Sequence, residues 1–143
     1  MKLPSCFSTL DIMRKDPVVH FEAPYQDKQR VTHFYQRAFG WEMQMMEEEY
    51  GGYIVAMTTE SDENGPKRSG IINGGFFKKD ESKPDQFPSV VISVEDIHQS
   101  IEKVQQAGGE VLGEPIEIPN VGLYVSFRDT EGNRVGMMQA IRK

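Results

Sequence analysis

Apolar and polar positions follow the same order in both halves of this 143-residue chain. A short alternating run comes first, followed by a helix-like segment that ends at glycine and by several short alternating runs. This order occupies about residues 17–77 and returns over about residues 88–141, with the charged segment 78–87 between them. The pattern predicts two βαβββ modules in a single domain over 16–143, preceded by a polar arm over 1–15.

Each predicted module leaves one face of a small sheet uncovered, so the two modules must pair. The pairing predicts an α+β fold with a cleft between the modules. The first strand of module one is predicted over 18–23. Because side chains alternate along a strand, His20 and Glu22 share one face, while Val19 and Phe21 share the other.

A helix follows this strand in module one, with Asp27 as its N-cap and Gly40 as its stop. Its apolar positions recur at intervals of three and four: Val31, Phe34, Tyr35 and Ala38. The polar segment 60–69 is predicted as an exposed loop. The remaining strands of this module are predicted over 41–47, 53–58 and 70–77.

Module two repeats the order, with a strand over 90–94 and a helix that presents Ile97, Ile101 and Val104 on one side. Its other strands are predicted over 111–112, 121–127 and 133–140. Along the last strand, alternation places Gly136, Met138 and Ala140 on one face, which we assign to the cleft. We expect the small residues there to leave room for a ligand.

The charge and cysteine content exclude several classes of protein. The formal net charge is -6 and the basic residues are scattered, which disfavours binding to nucleic acid or to an anionic membrane. The lone Cys6 excludes an intrachain disulfide framework. No stretch has transmembrane length and the first fifteen residues lack a continuous apolar run, so we expect a cytoplasmic protein.

Several short motifs resemble those of the vicinal oxygen chelate superfamily, also called the glyoxalase and bleomycin-resistance fold. In module one they are His20-Phe21-Glu22, Phe34-Tyr35 and Phe39-Gly40-Trp41. In module two they are Ser93-Val94-Glu95-Asp96-Ile97, Ala107-Gly108-Gly109 and the run from Phe127 to Asn133. The resemblance extends from Pro17 to Ile141.

This resemblance implies that the two modules form an incompletely closed, mostly antiparallel barrel around a concave cavity. In metal-dependent relatives, that cavity holds a divalent ion bound by residues on the first and last strands of each module. The family includes lyases, isomerases, extradiol dioxygenases and thiol transferases, as well as metal-free proteins that bind antibiotics. The fold does not choose among these functions, so the site residues must.

Only one of the four ligand positions implied by the family holds a good metal ligand here. His20 matches the first position, whereas Asn73, Ser89 and Gly136 stand at the other three. A catalytic divalent ion generally needs about three protein ligands from His, Cys or carboxylate groups. We therefore predict no metal cofactor, although a divalent ion held by His20 and further groups stays possible.

The sequence thus predicts a metal-independent protein that binds a small apolar or aromatic molecule in the barrel cavity and forms a homodimer. The predicted ligand-binding residues are His20, Glu22, Asn73, Ser89, Tyr124 and Met138. His20 can alternatively be a hydrogen-bonded structural residue. Glu22 can act as a general base, or it can fix the tautomer of His20. No catalytic residue is assigned.

The alternative function is a divergent metal-dependent lyase, isomerase or dioxygenase. Its metal would be held by His20 and Glu22, with help from the substrate or a second chain. In a third interpretation, the cavity is vestigial and the chain serves as an interaction subunit.

Overall fold

A computed structural model describes residues 15–48 and 51–141. The arm over 1–14, including Cys6, lies outside the described residues. The elements in chain order are β1 (Val18–Tyr25), α1 (Lys28–Phe39), β2 (Glu42–Met45), β3 (Ile54–Met57), β4 (Ser61–Asp62), β5 (Gly65–Pro66), β6 (Asn73–Lys78), β7 (Ser89–Ser93), α2 (Ile97–Gln106), β8 (Glu110–Ile118), β9 (Gly122–Arg128) and β10 (Arg134–Ala140).

Eight of the strands form one sheet in the order β2-β3-β6-β1-β7-β10-β9-β8. β1 pairs antiparallel with β7, so the two modules join within a single chain. β1 runs parallel to β6 and β7 runs parallel to β10, while the other neighbours in this sheet are antiparallel. Within the described residues, the edge strands β2 and β8 do not pair. The predicted α+β, mostly antiparallel and incompletely closed fold is confirmed.

The helices cover one face of the sheet, and strand alternation decides which side chains reach them. In module one, Phe21 and Tyr25 of β1 pack with Ile54 and Phe76 in a cluster that includes side chains of α1. In module two, a second cluster includes Val125 and Met137 together with residues of α2; its buried members are Val94, Ile97, Val125 and Met137. The opposite, concave face is left for His20, Glu22 and their neighbours.

Helix α1 begins and ends where the sequence predicts. The Asp27 side chain accepts a hydrogen bond of 2.9 Å from the backbone N–H of Arg30, and Gly40 ends the helix at φ +70°, in the left-handed region that favours glycine. The predicted apolar stripe is wrong in part, because Phe34 is 56 % exposed while Thr32 is buried. Phe34 instead packs edge-on against Tyr35 at the surface, with ring centroids 4.9 Å apart.

One strand prediction and one loop prediction are wrong, each for a local reason. Strand β8 covers Glu110–Ile118 rather than 111–112, because a register shift between Leu112 and Ile116 interrupts the alternation by which a strand is detected. The predicted loop 60–69 contains the small hairpin of β4 and β5. These strands have only two residues each, too few for a visible pattern.

Within the described part of the chain, neither helix has the length and apolar character needed to cross a membrane.

Candidate functional site

The concave face carries a polar centre on its two middle strands. His20 and Glu22 project from β1 onto the face opposite the helices, because they alternate with Phe21 of the module-one core. Strand register places His20 beside Asn73 of β6 and Glu22 beside Ser89 of β7. Both His20 and Glu22 are partly buried, as expected for groups near the floor of a cleft.

Glu22 is held by a tyrosine from the other module. The Tyr124 hydroxyl donates a 2.6 Å hydrogen bond to Glu22 Oε1 and lies 3.3 Å from the buried Ser126 hydroxyl. Burial raises the pKa of Glu22, while the Tyr124 hydrogen bond and the nearby Arg134 guanidinium oppose that rise. Glu22 Oε2 has no hydrogen-bond partner among the described residues. Tyr124 thus fixes one carboxylate oxygen, while the other has no bond within the described residues.

His20 forms the matching pair with a tyrosine of its own module. His20 Nε2 lies 3.0 Å from the Tyr53 hydroxyl, and either group can donate, depending on the imidazole tautomer. Burial lowers the pKa of His20, which favours the neutral imidazole. Burial, reinforced by the Glu22 charge, raises the pKa of Tyr53 well above its usual range, so the phenol stays protonated. Within the described residues, Tyr53 rather than Glu22 bonds the His20 imidazole, and because a hydroxyl can donate or accept, this bond is compatible with either tautomer.

Glycines on the last strand of each module make room for the two tyrosines. A Cβ at Gly75 would overlap the hydroxyl and ring of Tyr53, and one at Gly136 would lie 2.6 Å from the Tyr124 hydroxyl. The prediction that Gly136 leaves room for a ligand is therefore wrong, because the Tyr124 phenol fills that space. Tyr53 was missed by the sequence analysis. The sequence repeat was the available signal. In each module a tyrosine of the third predicted strand faces a glycine of the fourth: Tyr53 faces Gly75, and Tyr124 faces Gly136.

Asn73 and Ser89 are bonded to their own chain. The Asn73 amide accepts a 2.8 Å hydrogen bond from the Thr58 backbone N–H and donates one of 2.7 Å to the Ser61 hydroxyl. The Ser89 hydroxyl donates a 2.7 Å hydrogen bond to the Arg134 carbonyl. These bonds attach the strand ends to the neighbouring segments. A ligand-binding role for Asn73 and Ser89 would require competition with bonds already formed.

Met138 is the apolar residue among the predicted site residues and lies on the same face as Tyr124. It pairs in register with Tyr124 of β9 and is partly buried. Its flexible thioether is suited to packing against ligands of differing shape. The structure therefore brings His20, Glu22, Tyr124 and Met138 to the same face, and adds Tyr53 to them.

The donor set on this face does not fit a family-type metal site. Across residues 15–48 and 51–141, no group of three or more His, Cys, Asp and Glu side chains is placed to hold an ion. His20 and Glu22 are each engaged by a phenol, and Gly136 offers no side-chain ligand. The face instead presents a carboxylate oxygen, an imidazole and two phenols, a set suited to hydrogen-bonding the polar group of an organic molecule.

Comparisons with known proteins agree with the fold. Residues 18–137 match the family model described as the Glyoxalase/Bleomycin resistance protein/Dioxygenase superfamily. A glyoxylase-like domain-containing protein of Didymella fabae is 32% identical over 115 residues, which covers 78% of this chain and 84% of that protein.

Solved structures share the architecture at low sequence identity. A hypothetical protein from Bacillus halodurans superposes with a TM-score of 0.65 at 13% identity, covering 91% of this chain and 98% of that one. The methylmalonyl-CoA epimerase of Streptomyces coelicolor, in complex with 2-nitronate-propionyl-CoA, superposes with a TM-score of 0.63 at 15% identity, covering 87% of this chain and 97% of that one. The methylmalonyl-CoA epimerase of Mycobacterium tuberculosis superposes with a TM-score of 0.62 at 12% identity, covering 94% of this chain and 97% of that one.

Proposed function

Because the chain belongs to the glyoxalase, bleomycin resistance protein and dioxygenase superfamily, we propose that it binds a small molecule on its concave face without a resident metal. The ligand has an apolar or aromatic body and carries a polar group such as a carbonyl or hydroxyl. The homodimer and the cytoplasmic location that the sequence predicts stay predictions.

The observation that supports this proposal most directly is the open oxygen of Glu22. A partly buried carboxylate with one oxygen bonded to Tyr124 and the other unbonded within the described residues invites a ligand donor. A ligand hydroxyl that donates to Glu22 Oε2 would satisfy it, and burial strengthens such a bond relative to water. The ordering of Tyr124 by Glu22 before binding lowers the entropy cost of association.

Each remaining group has a distinct role in this proposal. His20 and Tyr53 form a neutral donor–acceptor pair that can bind a ligand carbonyl or hydroxyl beside Glu22. Met138 packs against the apolar body of the ligand beside the Tyr124 ring. The epimerases among the structural neighbours share the fold at 12–15% identity, so their substrates do not identify this ligand.

The alternative is a metal-dependent lyase, isomerase or dioxygenase, which would need ligands beyond His20 and Glu22. Those ligands would have to come from a substrate or a second chain. They would also have to displace the tyrosine hydroxyls from both residues. The displacement makes this function the less favoured one.

Replacing His20 by alanine tests the binding proposal. We expect the affinity for one-ring phenols and aromatic aldehydes to fall about 5- to 10-fold, which corresponds to the loss of one hydrogen bond of about 1 kcal/mol. A suitable measurement is an NMR titration with 4-hydroxybenzaldehyde and phenol that follows the methyl signal of Met138. His98→Ala, which changes an exposed histidine of α2, is the matched control and should leave the affinity unchanged. Equal affinities in all three proteins would contradict the proposed role of His20.

A further inference from the structure

A second concavity lies on the helix-covered side of the sheet, although the ring of Phe21 in its wall lies 6.4 Å from the His20 ring. It has a volume of about 390 Å³, and β1 contributes Phe21 and Ala23 to its wall. Because these two residues alternate with His20 and Glu22 along the strand, the backbone of the sheet separates the two places. A molecule bound here would therefore not touch the polar centre of the concave face.

Four aromatic rings form the wall of this concavity and hold one another in place. The rings of Tyr35 and Trp41 stack with centroids 4.7 Å apart and planes 12° apart. Phe21 lies 5.6 Å from Trp41 and meets Phe76 edge-on at 6.2 Å. Mutual packing of this kind fixes ring orientation before any ligand arrives, so the wall is pre-formed. We call this concavity the aromatic pocket, lined chiefly by Phe21, Ala23, Tyr35, Trp41, Thr58 and Phe76.

The lining of the aromatic pocket favours an uncharged ligand. None of the described side chains that line it carries a charge. The Thr58 hydroxyl already donates a 2.6 Å hydrogen bond to the Ile72 carbonyl, so its proton is committed. A charged ligand would lose its hydration here without gaining an ionic partner, which is costly.

The size and shape of the pocket further limit the kinds of ligand that fit it. Its volume of about 390 Å³ lies within the range of about 300–1,000 Å³ that is usual for small-molecule sites. The flat faces of Tyr35 and Trp41 offer stacking area to a planar ring system. We propose that the aromatic pocket is a second binding site, separate from the concave face, for a neutral, flat, aromatic molecule.

Fluorescence tests this site directly, because Trp41 is the single tryptophan of the chain and lines the pocket. N-phenyl-1-naphthylamine serves as the neutral probe. It should quench Trp41 emission by energy transfer and gain emission itself. The anionic 1-anilinonaphthalene-8-sulfonate has the same rings plus a sulfonate, and should bind at least about 10-fold more weakly. Equal affinity for the two probes, or no quenching by the neutral probe, would overturn the proposal.

Variants on the two faces of the sheet locate the probe. Ala23→Leu extends a side chain into the pocket and should weaken binding of the neutral probe by more than about 10-fold. Ala23→Val is the milder substitution if leucine impairs folding, and circular dichroism verifies the fold of each. Met138→Ala, which changes a concave-face residue paired with Tyr124 in module two, should leave the probe affinity unchanged. Quenching that survives undiminished in a folded Ala23 variant, or that disappears in Met138→Ala, would overturn a separate site. Loss of quenching in Met138→Ala would instead place the probe on the concave face.

Discussion

Replacing Gly75 by alanine is expected to lower the free energy of unfolding by about 3 kcal/mol, at the upper end of the usual cost of overpacking. The new Cβ would overlap the hydroxyl and ring of Tyr53, whose position is fixed by its bond to His20. Tyr53 would then have to leave its place over the strand, and its hydrogen bond to His20 would be lost. Chemical denaturation of the purified variant measures the effect.

Two comparisons show whether this cost comes from the tyrosine. In a Tyr53→Ala background, Gly75→Ala should have little effect, because the side chain that it meets has been removed. Gly136→Ala should cost less, about 1 kcal/mol, since its Cβ would lie 2.6 Å from the Tyr124 hydroxyl and so overlap less severely than a Cβ at Gly75 overlaps Tyr53. If Gly75→Ala proved neutral in the wild-type background, Tyr53 would not lie over the strand as described.

Replacing Tyr124 by phenylalanine is expected to destabilise the protein by about 2 kcal/mol at neutral pH, because the partly buried Glu22 carboxylate loses its donor. The cost should depend on pH. The Tyr124 bond lowers the pKa of Glu22 against the rise caused by burial, so the bond stabilises the ionised form. The stabilisation is therefore present above the pKa of Glu22 and declines as the pH falls through it. Denaturation measured from neutral to acidic pH gives this dependence.

The Glu22→Gln variant distinguishes the effect of the Glu22 charge on stability from the effect of the hydrogen bond to Tyr124. Burial raises the folded-state pKa of Glu22, so ionisation costs stability as the pH rises above the usual pKa of a glutamate. Glu22→Gln removes that cost and should raise stability at neutral pH. In the Glu22→Gln background, Tyr124→Phe should cost only about 1 kcal/mol, at every pH tested. An equal, pH-independent cost of Tyr124→Phe in both backgrounds would contradict a charge-assisted bond.

Much of the fold was predictable because its signals are local. Strand alternation places His20 and Glu22 together on one face, and the register of β1 agrees. Asp27 and Gly40 mark the ends of α1 because capping depends on residues next to the helix end. The repeated order of elements predicts two modules for a similar reason, since each module must bury a face against the other.

The parts of the site that were missed depend on contacts between strands. Tyr53 reaches His20 from a segment 33 positions away, across Gly75 of a third segment, and no local pattern records such a contact. The Tyr124 ring occupies the place expected to be empty at Gly136, because a glycine makes room for a neighbour as readily as for a ligand. The register shift of β8 is likewise invisible to a search for alternation.

The most direct test is the metal content of the protein, purified without chelators and measured by mass spectrometry. It decides whether His20 and Glu22 are bonded by tyrosine phenols, as described, or bind a metal ion. We predict only substoichiometric Zn, Ni, Fe and Mn, the same content in His20→Ala, and no tight uptake when each ion is added. An ion bound at one equivalent per chain and lost in His20→Ala would contradict the metal-independent site and favour the enzyme.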